Sequence, residues 1–245
     1  GRNTIAVCGT HGKTTTATMA AYLLREHGGD PGWLVGGVPA SLPGGARRGA
    51  EASPFVIEGD EYDSAFFDKR SKFVHYFPDI LVITGIEFDH ADIFRDIEDV
   101  ERAFRHLLRV VPGGGVAIVN GDDPAVRRLL PAPWTRVVTF GERESNDLVV
   151  SRYEEGPRES QFALNWKGLP WESIRWKRIG RFNAIDAAAA ALAAGFAVYP
   201  VAPASLPLAP LSGFQGVKRR QDVRYESEQL VLVEDFGHHP TAIEQ

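Results

Sequence analysis

Lys13 and Thr14 directly follow a glycine in the stretch AVCGTHGKTTTATMA, residues 6–20. A glycine-rich turn between a strand and a helix directs backbone N–H groups at an anion. A lysine at the first helical turn reaches terminal phosphates, and the threonine hydroxyl after it suits Mg²⁺. The common phosphate-loop spacing, G-x-x-x-x-G-K-[ST], asks for glycine where Val7 stands, and the nearest upstream glycine is Gly9. The stretch is therefore either a shortened nucleotide loop or a tight turn into an ordinary helix. Its placement favours phosphate binding: the β-rich NTIAVCG precedes it, and Ala17, Ala20, Ala21 and Leu24 recur at helical spacing after it.

Phosphoryl chemistry also needs an acid at the end of a neighbouring strand to hold a metal. SPFVIEGDEYD supplies Glu58, Asp60, Glu61 and Asp63 after an apolar run, and PDILVITGIEFDH ends in Asp89 and His90. A lone histidine is more often structural than a ligand. This one falls at a predicted strand C-terminus, where open α/β sheets place their sites, so a second metal held by an acid and His90 is expected. His238 and His239 are adjacent, and neighbouring side chains diverge, so joint ligation by that pair is not expected.

A parallel sheet must gather these residues. Strand-like and helix-like segments alternate from residue 4 to about 140, which predicts a mainly parallel sheet with helices on both faces. The strongest helix is DIEDVERAFRHLLRVVPGG: Ile97, Val100, Phe104, Leu107, Leu108 and Val111 share a face, and Asp96 is its expected N-cap. Residues 145–180 alternate instead, as an antiparallel insert would. An alanine-rich helix is predicted at 183–194, a short helix and loop in YPVAPASLPLAPLSG, and the first strand of a further unit in EQLVLVEDFGHHP.

Bulk composition bounds the rest. The 245 residues are 44% hydrophobic and 24% charged, with net charge −5. That is an ordinary globular balance and gives no electrostatic support for a nucleic-acid partner. Cys8 is the single cysteine, which excludes an internal disulfide framework and a Cys-based zinc cage and fits a reducing cytoplasm. No uninterrupted apolar run of membrane-spanning length and no signal peptide is read, so membrane insertion is not expected. The strand-like start and helix-like finish lead us to expect a piece of a longer polypeptide.

Together the pieces resemble the Mur ligase family, ATP-dependent amide-forming enzymes of peptidoglycan synthesis. The family's short loop G-T-x-G-K-[TS] is matched by GTHGKTT, and EGDEYDSAF, IEFDHAD, GRFNAIDAAAA, KRRQD and EDFGHHPT follow in family order over nearly the whole chain. HGKTTT and GHHPT resemble the branch acting on UDP-N-acetylmuramate. DEYDSAFFDKRSKFVHY and EFDHADIF are similar to members that attach the tripeptide L-alanyl-γ-D-glutamyl-meso-diaminopimelate, ranked ahead of members that attach L-alanine.

The resemblance implies a P-loop-type α/β three-layer fold with a mainly parallel central sheet and a small antiparallel insert. It implies that residues 1–220 are the central ATP-binding domain and 221–245 the start of a C-terminal domain, with a UDP-binding N-terminal domain absent. It implies ATP and Mg²⁺, a cytoplasmic setting, and UDP-N-acetylmuramate and a murein tripeptide as substrates. Gly9, Thr10, His11, Gly12 and Thr15 would wrap the phosphates, with Lys13 on the β- and γ-phosphates. Thr14 and Glu61 would hold the first Mg²⁺, and Glu61 with His90 a second. Asn183 matches an adenine-contacting asparagine, Arg220 an arginine near the phosphates, and Asp235 an acid of the ATP-contacting junction. Lys13, Glu61 and His90 form the implied catalytic set. Three departures stand out. Phe182 stands where the family's motif usually has histidine before Asn183. Arg105 occupies the place of a carbamylated lysine used by several members, and Asp186 stands where the family's second asparagine is usual. The rival functions are a non-catalytic ATP-binding module and another type of P-loop ATPase or kinase.

Overall fold

The computed structural model describes residues 2–227, 229–237 and 239–244. His238 lies outside the described residues, so the His238–His239 pair is represented by His239 alone. In chain order the first half runs β1 (Thr4–Cys8), α1 (Lys13–Glu26), β2 (Gly32–Leu34), β3 (Ala46–Arg47), β4 (Phe55–Glu58), the hairpin β5 (Asp63–Ala65) and β6 (Asp68–Ser71), and β7 (Ile80–Ile83). The second half runs α2 (Ile97–Arg109), β8 (Val116–Asn120), α3 (Pro124–Arg127), β9 (Arg136–Gly141), β10 (Leu148–Glu155), β11 (Ser160–Trp166), β12 (Leu169–Trp176), α4 (Arg181–Val198), β13 (Asp222–Glu226), β14 (Val231–Glu234) and α5 (Pro240–Glu244).

One sheet carries the strands in the order β12-β11-β10-β9-β8-β7-β1-β4-β2-β3. From β10 to β2 every neighbouring pair is parallel. Strands covered on both faces read as continuous apolar runs, which is how TIAVC and ILVI read. Their side chains alternate between two cores. Ile5, Val7, Ile80 and Val82 pack under α1 and α4, while Ala6, Cys8, Leu81 and Ile83 pack against Val100, Phe104, Leu107 and Leu108 of α2. This is the expected three-layer arrangement.

The helices form for identifiable reasons. Asp96 caps α2 by accepting from Asp99 N at 2.9 Å, Glu98 and Asp99 fill its first turn, and His106 and Arg109 its last, all in the sense the helix dipole favours. α4 is rich in alanine because it is buried almost all round. Small side chains let it lie against Ala17, Ala20 and Ala21 of α1 and across the sheet at once, and alanine costs least in a helix. By length and composition alone α4 could cross a membrane, but 72% of it is buried inside this fold.

The antiparallel segment is present and has a feature that alternation alone does not disclose. β10 pairs in parallel with β9 through Leu148 and Phe140, so the β10–β12 meander widens the main sheet. Its apolar face, with Leu148, Val150, Phe162, Leu164, Ile174 and Trp176, continues the core beneath α4. The proline-rich stretch forms two short 3₁₀ turns, Pro203–Ser205 and Ala209–Gly213. After residue 221, β13 and β14 make a separate two-stranded antiparallel sheet.

Candidate active site

The chain enters the sheet at β1, in the middle. β4 lies on one side of β1 and β7 on the other, a topological switch point whose crevice opens at the strand C-termini. Register aligns those ends, with Val7 beside Glu58 and Cys8 beside Ile83. The segments after β1, β4 and β7 therefore meet.

Between Cys8 and Lys13 the chain turns within four residues. Gly9 and Gly12 take φ of 135° and 77°. A Cβ on Gly9 would collide with Thr84 Oγ1, and one on Gly12 with Asp186 Oδ1, so neither position admits a side chain. Among the described residues no side chain caps α1, which leaves the N–H groups of its first turn for an anion.

Lys13 Nζ donates to Gly9 O at 2.6 Å and to Glu61 Oε1 and Oε2 at 3.2 and 3.1 Å. Glu61 is only 4% exposed. His90 Nε2 lies 3.2 Å from Glu61 Oε1, and its Nδ1 is 2.9 Å from the Tyr62 hydroxyl, which fixes the ring. His90 sits at φ 58°, a left-handed position that histidine tolerates better than bulky residues. Glu61 thus bridges the other two side chains singled out for catalysis, Lys13 and His90. Thr14 takes a different neighbour from the one the resemblance implied. Its hydroxyl donates to Glu58 Oε1 at 2.7 Å, and Glu58 Oε2 accepts from Gly36 N at 2.6 Å. Sequence reasoning had Glu58 only as one of four acids in a cluster.

Asn183 is buried; its Nδ2 donates to Ile179 O at 2.7 Å and to Gln221 Oε1 at 2.8 Å. Asp235 accepts from Gln221 N at 2.8 Å and Gly237 N at 2.6 Å, so both residues grip the same junction. Arg220 places its guanidinium 5.4 Å from the Phe236 ring centre, and its carbonyl accepts from Arg178 Nη2 at 3.0 Å. Thr10 to Thr15, His90, Asn183, Arg220 and Asp235 all line one cleft of about 1260 Å³. Gly9 and Glu61 do not line it, but both hold the lysine that does. Arg105 bonds Glu101 at 3.0 Å on its own helix and is not among the residues lining the cleft.

Asp186 is the largest site feature that sequence reasoning left unexplained. Burial pushes its carboxyl up to about 8, and the Thr16 hydroxyl and Arg220 pull it down only in part. At neutral pH it is therefore mostly a neutral acid, close in shape and bonding to the usual asparagine. No signal short of the buried setting could reveal this. The ordinary value is 3.8. Below it, folded and unfolded chains both carry the proton and nothing is lost. As pH rises towards 8 only the unfolded chain ionises, so stability falls across that window. Asp186→Asn should therefore gain in melting temperature over the parent as pH goes from about 4 to about 8. Thermal melts across that range measure it, and a pH-independent difference would show that Asp186 ionises normally.

A short glycine loop feeding an uncapped helix, with a lysine–carboxylate–histidine cluster beyond the C-termini of central parallel strands, defines an α/β domain built to handle nucleotide phosphates. The family model for the Mur ligase middle domain matches residues 7–194, and the chain belongs to the Mur ligase family. It is 40% identical over 246 residues to the UDP-N-acetylmuramate–L-alanyl-γ-D-glutamyl-meso-2,6-diaminoheptandioate ligase of Escherichia coli (strain K12), covering 98% of this chain and 51% of that protein. A solved UDP-N-acetylmuramate:L-alanyl-γ-D-glutamyl-meso-diaminopimelate ligase from Neisseria meningitides is 37% identical with TM-score 0.76, covering 89% of this chain and 68% of that one. The UDP-N-acetylmuramate–alanine ligase structure from Thermotoga maritima is 25% identical with TM-score 0.78, covering 99% and 52%. The chain spans about half the length of the curated relatives it matches.

Proposed function

We propose that this chain is the ATP-activating core of a ligase that joins the lactoyl carboxylate of UDP-N-acetylmuramate to the amino group of L-alanyl-γ-D-glutamyl-meso-diaminopimelate. The observation that carries the proposal is that Glu61 links Lys13 and His90, two residues lining one cleft beside an uncapped helix N-terminus. The 40% identity to a ligase so named supports the choice of substrates. Residues 1–220 would be the ATP-binding domain and 221–245 the beginning of the next, consistent with the separate β13–β14 sheet. ATP and a nucleotide sugar as substrates place the reaction in the cytoplasm.

The muramyl carboxylate attacks the γ-phosphorus of ATP, the bond to the bridging oxygen of ADP breaks, and an acyl phosphate forms. The amine of the tripeptide then attacks the acyl carbon, loses a proton and displaces phosphate. The N–H groups from Gly12 to Thr15 receive the phosphates, and Lys13 turns from Glu61 to neutralise charge on the transferring group. The donors present fit Mg²⁺: the Thr14 hydroxyl already faces a carboxylate, and Glu61 offers a sheltered one beside His90. Thr14 with Glu61 or Glu58 would hold one ion, and Glu61 with His90 a second. Bound there, Mg²⁺ supplies charge neutralisation on the phosphoryl oxygens. Asn183 would orient the adenine, with Arg220 and Asp235 closing the junction.

L-alanine as the acceptor is the second choice, supported by the Thermotoga structure. The polypeptide that carries this chain, given ATP, UDP-N-acetylmuramate and one acceptor at a time, should release ADP with the tripeptide and not with L-alanine. Release with L-alanine alone would overturn the acceptor. Nucleotide binding with no release under either condition would leave a non-catalytic module. The 245 residues alone should bind nucleotide with little or no ligation.

A further inference from the structure

Three side chains apart from the Lys13–Glu61–His90 cluster meet where the phosphate loop faces the C-terminal segment. His11 Nε2 lies 2.7 Å from Glu87 Oε2, and His239 Nδ1 lies 3.5 Å from the same oxygen. The two imidazole rings are 5.0 Å apart, and the three potential ligand atoms all fall within 4.8 Å of one another. The arrangement is anchored. Thr10 Oγ1 accepts from Glu87 N at 2.9 Å and donates to Glu87 O at 3.3 Å, which ties the loop to the segment after β7. The other carboxylate oxygen of Glu87 accepts from Thr241 Oγ1 at 2.8 Å. A carboxylate oriented by an outer hydroxyl is the usual companion of a metal ligand.

His239 Nδ1 separates a metal site from a simple docking contact. It is closed off from solvent and, beyond its 3.5 Å approach to Glu87 Oε2, makes no hydrogen bond among the described residues. A histidine that only docked α5 would bond that nitrogen, because buried polar atoms without partners are rare. A cation between the three groups would satisfy it.

We propose that His11, Glu87 and His239 form a binding site for a transition-metal ion of the Zn²⁺, Co²⁺ or Ni²⁺ class, which ties the C-terminal segment to the phosphate loop. Two imidazole nitrogens against one carboxylate oxygen suit these ions, whereas Mg²⁺ and Ca²⁺ favour sites in which oxygen ligands predominate. Three protein ligands leave a further coordination position, and since all three residues line the cleft it faces the space where a phosphate would lie. Bond lengths of about 2.0–2.2 Å require the His11–Glu87 pair to part by roughly half an ångström, a side-chain adjustment. The site shares no ligand with the Glu61–His90 pair and is independent of the ligase proposal.

Cobalt is the probe, added as Co²⁺ to the 245-residue chain with excess Mg²⁺ and no nucleotide. A visible d–d band should appear and saturate at one equivalent. His11→Gln and His239→Gln should each weaken cobalt binding about tenfold or more, and Glu87→Gln gives an independent third variant. His90→Gln should leave the band in place. Zn²⁺ should displace the cobalt, and should raise the melting temperature of the parent chain but not of His239→Gln. Circular dichroism of the metal-free variants checks that they fold as the parent does. A band lost in His90→Gln and kept in His239→Gln would put cobalt beside Glu61 and overturn the site, as would the absence of any saturable band.

Discussion

Lys13→Ala should abolish acyl-phosphate formation in the polypeptide that carries this chain, with kcat down by about a thousandfold or more. The lysine opens the helix whose first-turn N–H groups form the loop's anion site. Its ammonium is already gathered at the loop by the carbonyls of Gly9 and Thr10, so little reorganisation is needed before it meets a phosphate. A cation fixed beforehand at a site of developing charge is worth far more than one that must be recruited from solvent. The variant also strips Glu61 of its lysine, and a carboxylate only 4% exposed with His90 as its remaining partner destabilises its surroundings. Two measurements separate the effects. Rapid quench with γ-labelled ATP reads acyl-phosphate formation, and calorimetric ADP binding by the chain reads loop integrity. Retained ADP binding with lost phosphoryl transfer is the expected result. Near-normal ligation would remove Lys13 from the chemistry.

The sequence disclosed the layers and the loop because both rest on local pattern. ILVI and TIAVC are apolar on successive residues, which suits only strands covered on both faces, and a lysine after a glycine turn has few other uses. It did not disclose who faces whom. Thr14 meets Glu58 because Val7 and Glu58 are register neighbours, and no spacing along the chain carries that information. Asp186 was visible only as a departure from a family pattern. Its neutral state follows from burial under Gly12, a contact between residues far apart in sequence. The β10–β12 meander shows the same limit: alternation announced antiparallel strands, but their attachment to β9 depends on Leu148 and Phe140 finding one core. Glu87 went unremarked because a glutamate between Ile86 and Phe88 carries no signal until His11 and His239 are brought to it.

Glu61 and Glu58 divide the metal question between them, and Glu61→Ala should decide it. Glu61 touches both Lys13 and His90, so one carboxylate serves a cation that must move towards the phosphates and a histidine placed to share a metal. When Lys13 turns to the phosphates, Glu61 is left sheltered and negative beside His90, and a divalent ion there would restore charge balance. Removing Glu61 should shift the Mg²⁺ activation curve to concentrations about tenfold higher or more and lower kcat by about a hundredfold. Glu58→Ala should act differently. It frees the Thr14 hydroxyl and the Gly36 N–H, so the loss should fall on nucleotide affinity more than on Mg²⁺ dependence. A Glu61→Ala enzyme with reduced kcat but an unchanged Mg²⁺ curve would make Glu61 only the resting partner of Lys13. The metal would then belong to Glu58 and Thr14, which are already within hydrogen-bond distance of each other.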